Sequence, residues 1–467
     1  ADTGNITVSG DTTLTSAPLT IVSAANVRFG GDLSVGSLAQ LAGTGNTTFD
    51  GELTATDAAG LVINQGSINA NGDITATTGP VNFSTTEAIT LSPTSNVTAL
   101  GDIDLSADEG IASLSNLFSE NGDITLTTGS GFTTNTQTES TLISTANGGG
   151  DITFNTEISQ NGQQLNLTSG TGDITFERPV GANSGAGDII ISVANNVTVN
   201  GEMNVASFYT SGIDGTITLN GAVTSSSPNT VQLGGRELFV NAPITTTNGG
   251  NVRLNMTDNI TFTALGDIYS DGDVFIIASQ PLTAGESINS AGDIITTNDN
   301  IYLRGFLNLT GDVTYSGKTF WLSGELKANG FDMNFKELKF APVFPPYQTA
   351  RNQAQEFPGY DSAVLNTYYL NAYAPTQLLN NAPGLQLATL LNLFQAEERF
   401  NPLLDTVIFG DGNTFVYPES ESTCLEDACT IENASSDLDF IFDTASVVND
   451  RDELISKASM PAIMPIF

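Results

Sequence analysis

Short stretches of alternating apolar and polar residues dominate the first 340 positions of the chain. Ile124 and Leu126 are apolar while Asp123, Thr125 and Thr127 between and around them are polar, and Ile103 with Leu105, Ile152 with Phe154, and Ile174 with Phe176 repeat the phrase. A period of two over four to six residues predicts strands with one buried face. Most of these strands follow the tripeptide Gly-Asp-Ile, which begins at Gly72, Gly101, Gly122, Gly150, Gly172, Gly187, Gly266 and Gly292, with Val or Leu variants at Gly31, Gly272 and Gly311. Several of these starts are nearly evenly spaced: Gly101 to Gly122, Gly150 to Gly172, Gly272 to Gly292 and Gly292 to Gly311 are steps of similar length. Recurrence at about 20 residues with short strands is the signature of a solenoid.

One coil of that length cannot bury its apolar side, but stacked coils pair their strands in parallel and share a core. The fold class expected is therefore all-β: a parallel β-helix, or β-solenoid, with a small mixed helical and strand extension at the C-terminus. At about 20 residues per coil the repetitive region holds roughly 16 or 17 coils. The corner candidates are the pairs Gly72 and Asp73, Gly101 and Asp102, Gly122 and Asp123, Gly150 and Asp151, and Gly172 and Asp173. The glycine is expected to supply a positive φ and the aspartate to bond its own backbone around the turn. Two irregularities stand out. The stretch between Gly187 and Gly266 lacks the phrase, and Asn196 to Val199, Gly215 to Leu219 and Asn259 to Phe262 are expected to replace it. The unusually short step from Gly172 to Gly187 implies a short coil or a skipped corner.

Three regions follow from the composition: a β-helical shaft over 1–340, a Pro-rich linker with short helices over 341–405, and an acidic tail with a Cys loop over 406–467. The apolar Phe320-Trp321-Leu322 cluster reads as a capping coil, and Pro342, Pro345 and Pro346 then interrupt any strand ladder. Leu387, Leu390, Leu391 and Phe394 have helical spacing. Val407-Ile408-Phe409 and Phe415-Val416-Tyr417 flank Gly410-Asp411-Gly412-Asn413, a hairpin signal. Leu438, Phe440 and Phe442 alternate with Asp439, Ile441 and Asp443, and Ile463, Met464, Ile466 and Phe467 close the chain. Both groups are candidate assembly or docking residues.

Charge narrows the function classes. Thirteen Lys and Arg stand against 51 Asp and Glu among 467 residues, a net charge of −38, and histidine is absent. The Ser-His-Asp and Cys-His nucleophile systems and imidazole zinc sites are thereby excluded. A chain so acidic is a poor partner for nucleic acid, whose binding depends on cations. No enzyme activity is expected. Asp267, Asp271 and Asp273 lie close together, but neither an adjacent Asp-Asp pair nor an Arg-x-Lys element accompanies them. A glycan-acting β-helix enzyme is the minor alternative. No cofactor is expected, and structural calcium between stacked corner acids is left open.

Cys424 and Cys429 are the only cysteines and are expected to close a small disulfide loop. The Thr/Asn/Gly-rich coils with their Gly-Asp-Ile phrases resemble the β-helical shafts of filamentous-haemagglutinin-type exoproteins exported by two-partner secretion. The resemblance covers about residues 1–340, and the amino-terminal secretion domain of that family is not recognisable. It implies an extracellular or bacterial outer-surface location. The leading expectation is a subunit of an extracellular filament or adhesin, assembling with copies of itself through end-to-end and tail contacts. The alternative is a monomeric adhesin whose Cys424–Cys429 loop is held in an outer-membrane transporter, as in the high-molecular-weight adhesins. A host or cell-surface receptor or glycan would then be a further partner.

Overall fold

The computed structural model describes residues 4–336 apart from 115, 135–139, 146–147, 182–186, 227–229, 279–286, 298 and 324–325, together with strands at 406–409 and 413–416. The described chain is a parallel β-solenoid of about 14 turns without helices. It divides into two compact units, 1–236 and 237–467.

In the first unit each coil visits three faces in turn. Asn5–Val8 opens face A, Thr12–Thr13 face B and Pro18–Ile21 face C. The next coil repeats the sequence with Asn26–Phe29, Leu33–Val35 and Ser37–Gln40, each paired in parallel with its predecessor. On face C the register runs Leu19, Leu38, Leu61, Val81, Ile103, Ile124, Ile152, Ile174, Val197 and Ile217. The steps from Leu19 to Ile217 average about 22 residues per coil, within the usual range of solenoid repeats. In the second unit Leu238, Ile260, Ile288, Leu307 and Leu326 form the equivalent column, with the same average step. The coils are thus longer, and fewer, than the spacing of the sequence phrase suggests. Part of the excess lies in two long coils, which carry Ile124 on to Ile152 and Ile260 on to Ile288.

Alternation does what the pattern requires. Ile103, Ile124, Ile152, Ile174, Val197 and Ile217 are fully buried, and two positions on in each strand Leu105, Leu126, Phe154, Phe176, Val199 and Leu219 are as well. Full burial of one such side chain stabilises by about 1.5–3 kcal/mol, and each stacks on its equivalent one rung away. Phe154 and Phe176 lie ring to ring at 5.1 Å, and Phe29 and Phe49 at 5.6 Å. The phrase-free gap is filled as expected: Val197–Val199 and Thr216–Leu219 continue face C of the first unit, and Ile260–Phe262 occupies face C of the second.

The Gly-Asp-Ile phrase proves not to mark one face. After Gly101, Gly122, Gly150 and Gly172 it starts strands of face C. After Gly72 and Gly187 it starts strands of face B, and after Gly266 and Gly292 strands of face A. The step from Gly172 to Gly187 is therefore no short coil. It is the distance between two faces of one coil, from Ile174–Phe176 to Asp188–Val193. The spacing from Gly272 to Gly292 likewise joins face B to face A.

The corner glycines differ from expectation too. None of Gly72, Gly101, Gly122, Gly150 and Gly172 has a positive φ; that conformation falls at other positions, among them Gly149 and the Asn248-Gly249 pair. What most of the corner glycines provide is space. A methyl group on Gly150 would lie 2.1 Å from the carbonyl oxygen of Gly122 one coil away, and one on Gly122 would lie 2.4 Å from the amide nitrogen of Asp102.

Phe320 and Trp321 lie within Thr319–Ser323, which pairs with Asn300–Arg304 and stands last in face B among the described residues. Thr406–Phe409 and Asn413–Val416 pair antiparallel, giving the hairpin that the sequence signals. Cys424, Cys429, Leu438, Phe440, Phe442, Ile463, Met464, Ile466 and Phe467 and the helical segments of 341–405 lie outside the described residues.

Candidate functional site

Two features go beyond core packing: a ladder of side-chain oxygens at the coil corners and an unusual outer surface on face B of the second unit. The corner aspartates do not bond their own turns. Each reaches across to the next coil, where its Oδ1 accepts the backbone N–H of the equivalent residue. Asp102 accepts from Asp123 at 3.0 Å, Asp123 from Asp151 at 2.8 Å and Asp151 from Asp173 at 2.8 Å. Asp173 then takes three donors, the Asn196 N–H at 3.0 Å and the Nδ2 groups of Asn195 and Asn196 at 2.8 and 2.9 Å. Asn196 passes the pattern on to Thr216. Asp73 belongs to a separate column on face B and accepts from Asn96. The second unit repeats the device: Asn251 accepts from Asp273, and Asp273 from Asn300.

The physical reason is accounting for backbone donors. The residue before each strand points its N–H along the stacking direction, and an unpaired donor there costs about 1–3 kcal/mol. A short side chain with an acceptor oxygen is what fits, which explains Asp or Asn at these corners and leaves their charge largely incidental. Among the described residues no group of three or more Asp, Glu, Cys or His could hold a metal ion. Asp267, Asp271 and Asp273 are separated: Asp267 precedes a face A strand and Asp273 a face B strand. Asp267 accepts the Tyr269 hydroxyl at 3.0 Å, and Asp271 accepts the Gly249 N–H at 2.8 Å, which holds its carboxyl below the usual range.

One acid on an outer face is perturbed the other way. Asp104, half-buried between Asn82 and Thr125 in the face C register, has its pKa raised by burial and then by nearby Asp102. A raised folded-state pKa means that the charged form is disfavoured in the native protein. The penalty is complete above the folded pKa and disappears as pH falls below the unfolded value near 4. Asp104→Asn should accordingly raise the thermal midpoint at pH 7 and lose that advantage by about pH 3.5. Melting curves of the two proteins across that range check both the sign and the closing gap.

Many outer positions are small and polar: Thr125, Thr153, Thr175, Thr198 and Thr218 form one such column on face C. Face B carries larger outward residues, and in the first unit Ile190 and Tyr209, both half-buried, pair in register. Face B of the second unit goes further and adds arginine. Its strands Val252–Met256, Val274–Ala278, Asn300–Arg304 and Thr319–Ser323 place Arg253, Phe275, Tyr302 and Trp321 in one register column. Beside it run Asn255, Ile277 and Arg304. Phe275 and Tyr302 stack with centroids 4.7 Å apart and planes at 2°, and the Arg253 guanidinium lies 5.0 Å above the other face of Phe275. Phe275, Ile277 and Tyr302 are half-buried, while Arg253, Asn255 and Arg304 are exposed. Burial, then the charge of Asp273, raises the Tyr302 hydroxyl pKa, so it remains a neutral donor. Arg28 forms an ion pair with Asp50 at 2.7 Å, far along the chain from this patch.

Sequence patterning missed this column for a definite reason. Val274-Phe275-Ile276-Ile277 is a continuous apolar run, so alternation cannot orient it. The interval from Phe275 to Tyr302 is also much longer than the one from Tyr302 to Trp321, and steps so unequal do not show as a repeat. The usable signal was the chemistry: arginine is scarce in this chain, and two arginines fall beside large apolar residues.

The class of protein that the fold defines is the parallel β-solenoid. No family model, curated protein or solved structure matches the chain.

Proposed function

We propose that the chain is a structural protein of the outer cell surface, a subunit of an extracellular fibre that self-associates through its solenoid and its C-terminal tail. The observation that carries this reading is a parallel ladder of coils whose outward positions on face B of the second unit, Arg253, Phe275, Tyr302 and Ile277, set aromatic and apolar side chains next to arginine. That composition is typical of the centres of protein–protein contacts. The resemblance of the coils to filamentous-haemagglutinin-type shafts supports an exported, surface location.

Negative-stain microscopy of the purified protein tests the reading, with fibres expected. Removing residues 430–467 should abolish the fibres while circular dichroism still reports a folded β-solenoid. Fibres that persist after this deletion would exclude a role for the tail, and single particles from the intact chain at every concentration would overturn the polymer.

A further inference from the structure

We propose that the Arg253, Phe275, Tyr302 column with Ile277 and Arg304 is the acceptor surface for the acidic C-terminal segment, residues 401–467, of a second copy of this chain. The proposal rests on the polymer reading above and adds where the tail binds. Three observations converge on it. The first is composition: large aromatic and apolar side chains beside arginine are what interaction centres contain, whereas the face B column of the first unit that holds Ile190, Tyr209 and Gln232 has no arginine in it. The second is charge. Arg253 and Arg304 are exposed and make no ion pair among the described residues, in a chain of net charge −38. The third is the chemistry presented outward. The faces of Phe275 are covered by Arg253 on one side and Tyr302 on the other, so this ring is unavailable for flat stacking of a sugar. What remains is the edge of the rings, where the aromatic quadrupole is positive, together with two guanidinium groups.

All of these favour an anion attached to an apolar chain. Residues 401–467 have that character: 13 acids against Arg451 and Lys457, with Leu438, Phe440 and Phe442 set among Asp437, Asp439 and Asp443. Apolar side chains of such a segment would cover Ile277 and the ring edges while its carboxylates meet the arginines. A neutral partner would leave both guanidinium groups without a counter-charge.

The test uses the full chain and charge exchange. Arg253→Glu/Arg304→Glu is compared with wild type, with Arg304→Glu alone, which leaves the ring stack untouched, and with Arg178→Glu, an exposed arginine of the other unit. A fourth protein carries Asp437→Lys, Asp439→Lys and Asp443→Lys. Fibre length by microscopy, association by sedimentation, and the emission of Trp321, the only tryptophan, which pairs in register with Tyr302, are the readouts. Association of the double arginine variant should weaken at least tenfold, with a smaller loss for Arg304→Glu and none for Arg178→Glu. The lysine variant should fail alike, and a mixture of the two reversed proteins should recover association and the Trp321 emission change. Wild-type fibres from the double arginine variant would overturn the acceptor while leaving the polymer reading intact. Absence of fibres from wild type would remove both. A Trp321 change that follows the arginines in a protein remaining monomeric would place the tail on its own chain instead. Arginine-dependent binding of polygalacturonate without self-association would assign the surface to an acidic glycan. Either result overturns the proposal.

Discussion

Gly150→Ala should destabilise the solenoid by about 3 kcal/mol or more, whereas Gly101→Ala, in the same phrase on the same face, should cost about 1 kcal/mol or less. The two substitutions are chemically identical and neither glycine has a positive φ, so backbone conformation predicts equal effects. The neighbouring coil separates them. At Gly150 the added carbon would lie 2.1 Å from the Gly122 carbonyl oxygen and 2.6 Å from its carbon, inside any acceptable contact. Backbone cannot rotate away as a side chain can, so two coils must move apart and the bonds between their strands must lengthen. At Gly101 the nearest atom, the Gly79 carbonyl carbon, is 3.4 Å away, an ordinary contact. Urea denaturation of both variants against wild type measures the difference. Equal midpoints for the two would show that close approach of stacked backbones is not what selects glycine at these corners.

Phe154→Ala should cost about 3–5 kcal/mol, against about 1 kcal/mol for Phe275→Ala. Phe154 is fully buried, lies beneath Leu126 in the register and stacks on Phe176 at 5.1 Å with planes at 8°. Truncation there removes transfer energy and leaves a hole that the rigid ladder on either side cannot close, since each strand is held by pairing to two neighbours. Phe275 also stacks, at 4.7 Å on Tyr302, but stands on the outside of its sheet where solvent fills the gap. The same unfolding measurement on both proteins separates interior from exterior stacking. A Phe154 variant no less stable than the Phe275 variant would mean that the inward column is loosely packed.

How much of this was readable beforehand depended on the kind of periodicity involved. Alternation is a local property of the strand, so Ile124, Leu126, Ile152 and Phe154 declared their inward orientation without reference to any other coil. The solenoid followed, because only stacking buries such a face. The face to which a strand belongs is a property of the whole coil, and Gly-Asp-Ile precedes strands of three faces. Asp188 and Asp173 therefore looked like adjacent repeats when they stand on different sides of the molecule. The roles of the corner residues were misread because both depend on the coil above or below: Gly122 on the closeness of Asp102, and Asp123 on the N–H of Asp151. The outer column of Phe275 and Tyr302 was hidden by unequal coil lengths, which only the register reveals.

The corner ladder has a consequence for how such a chain can change over generations. Every oxygen in it faces one way, from an earlier coil to a later one, as in Asp123 to Asp151 to Asp173 to Asn196. A coil therefore arrives with one vacancy and leaves with one offer. Excising or duplicating a stretch that runs from one corner to the next on the same face joins an acceptor to a donor again, and the inward Ile and Phe find equivalents on the new neighbour. Length is thus a quantity that gene rearrangement can adjust in steps of one coil without inventing new contacts. Composition on the outer columns stays free to diverge independently, and face B of the second unit shows one result of that freedom.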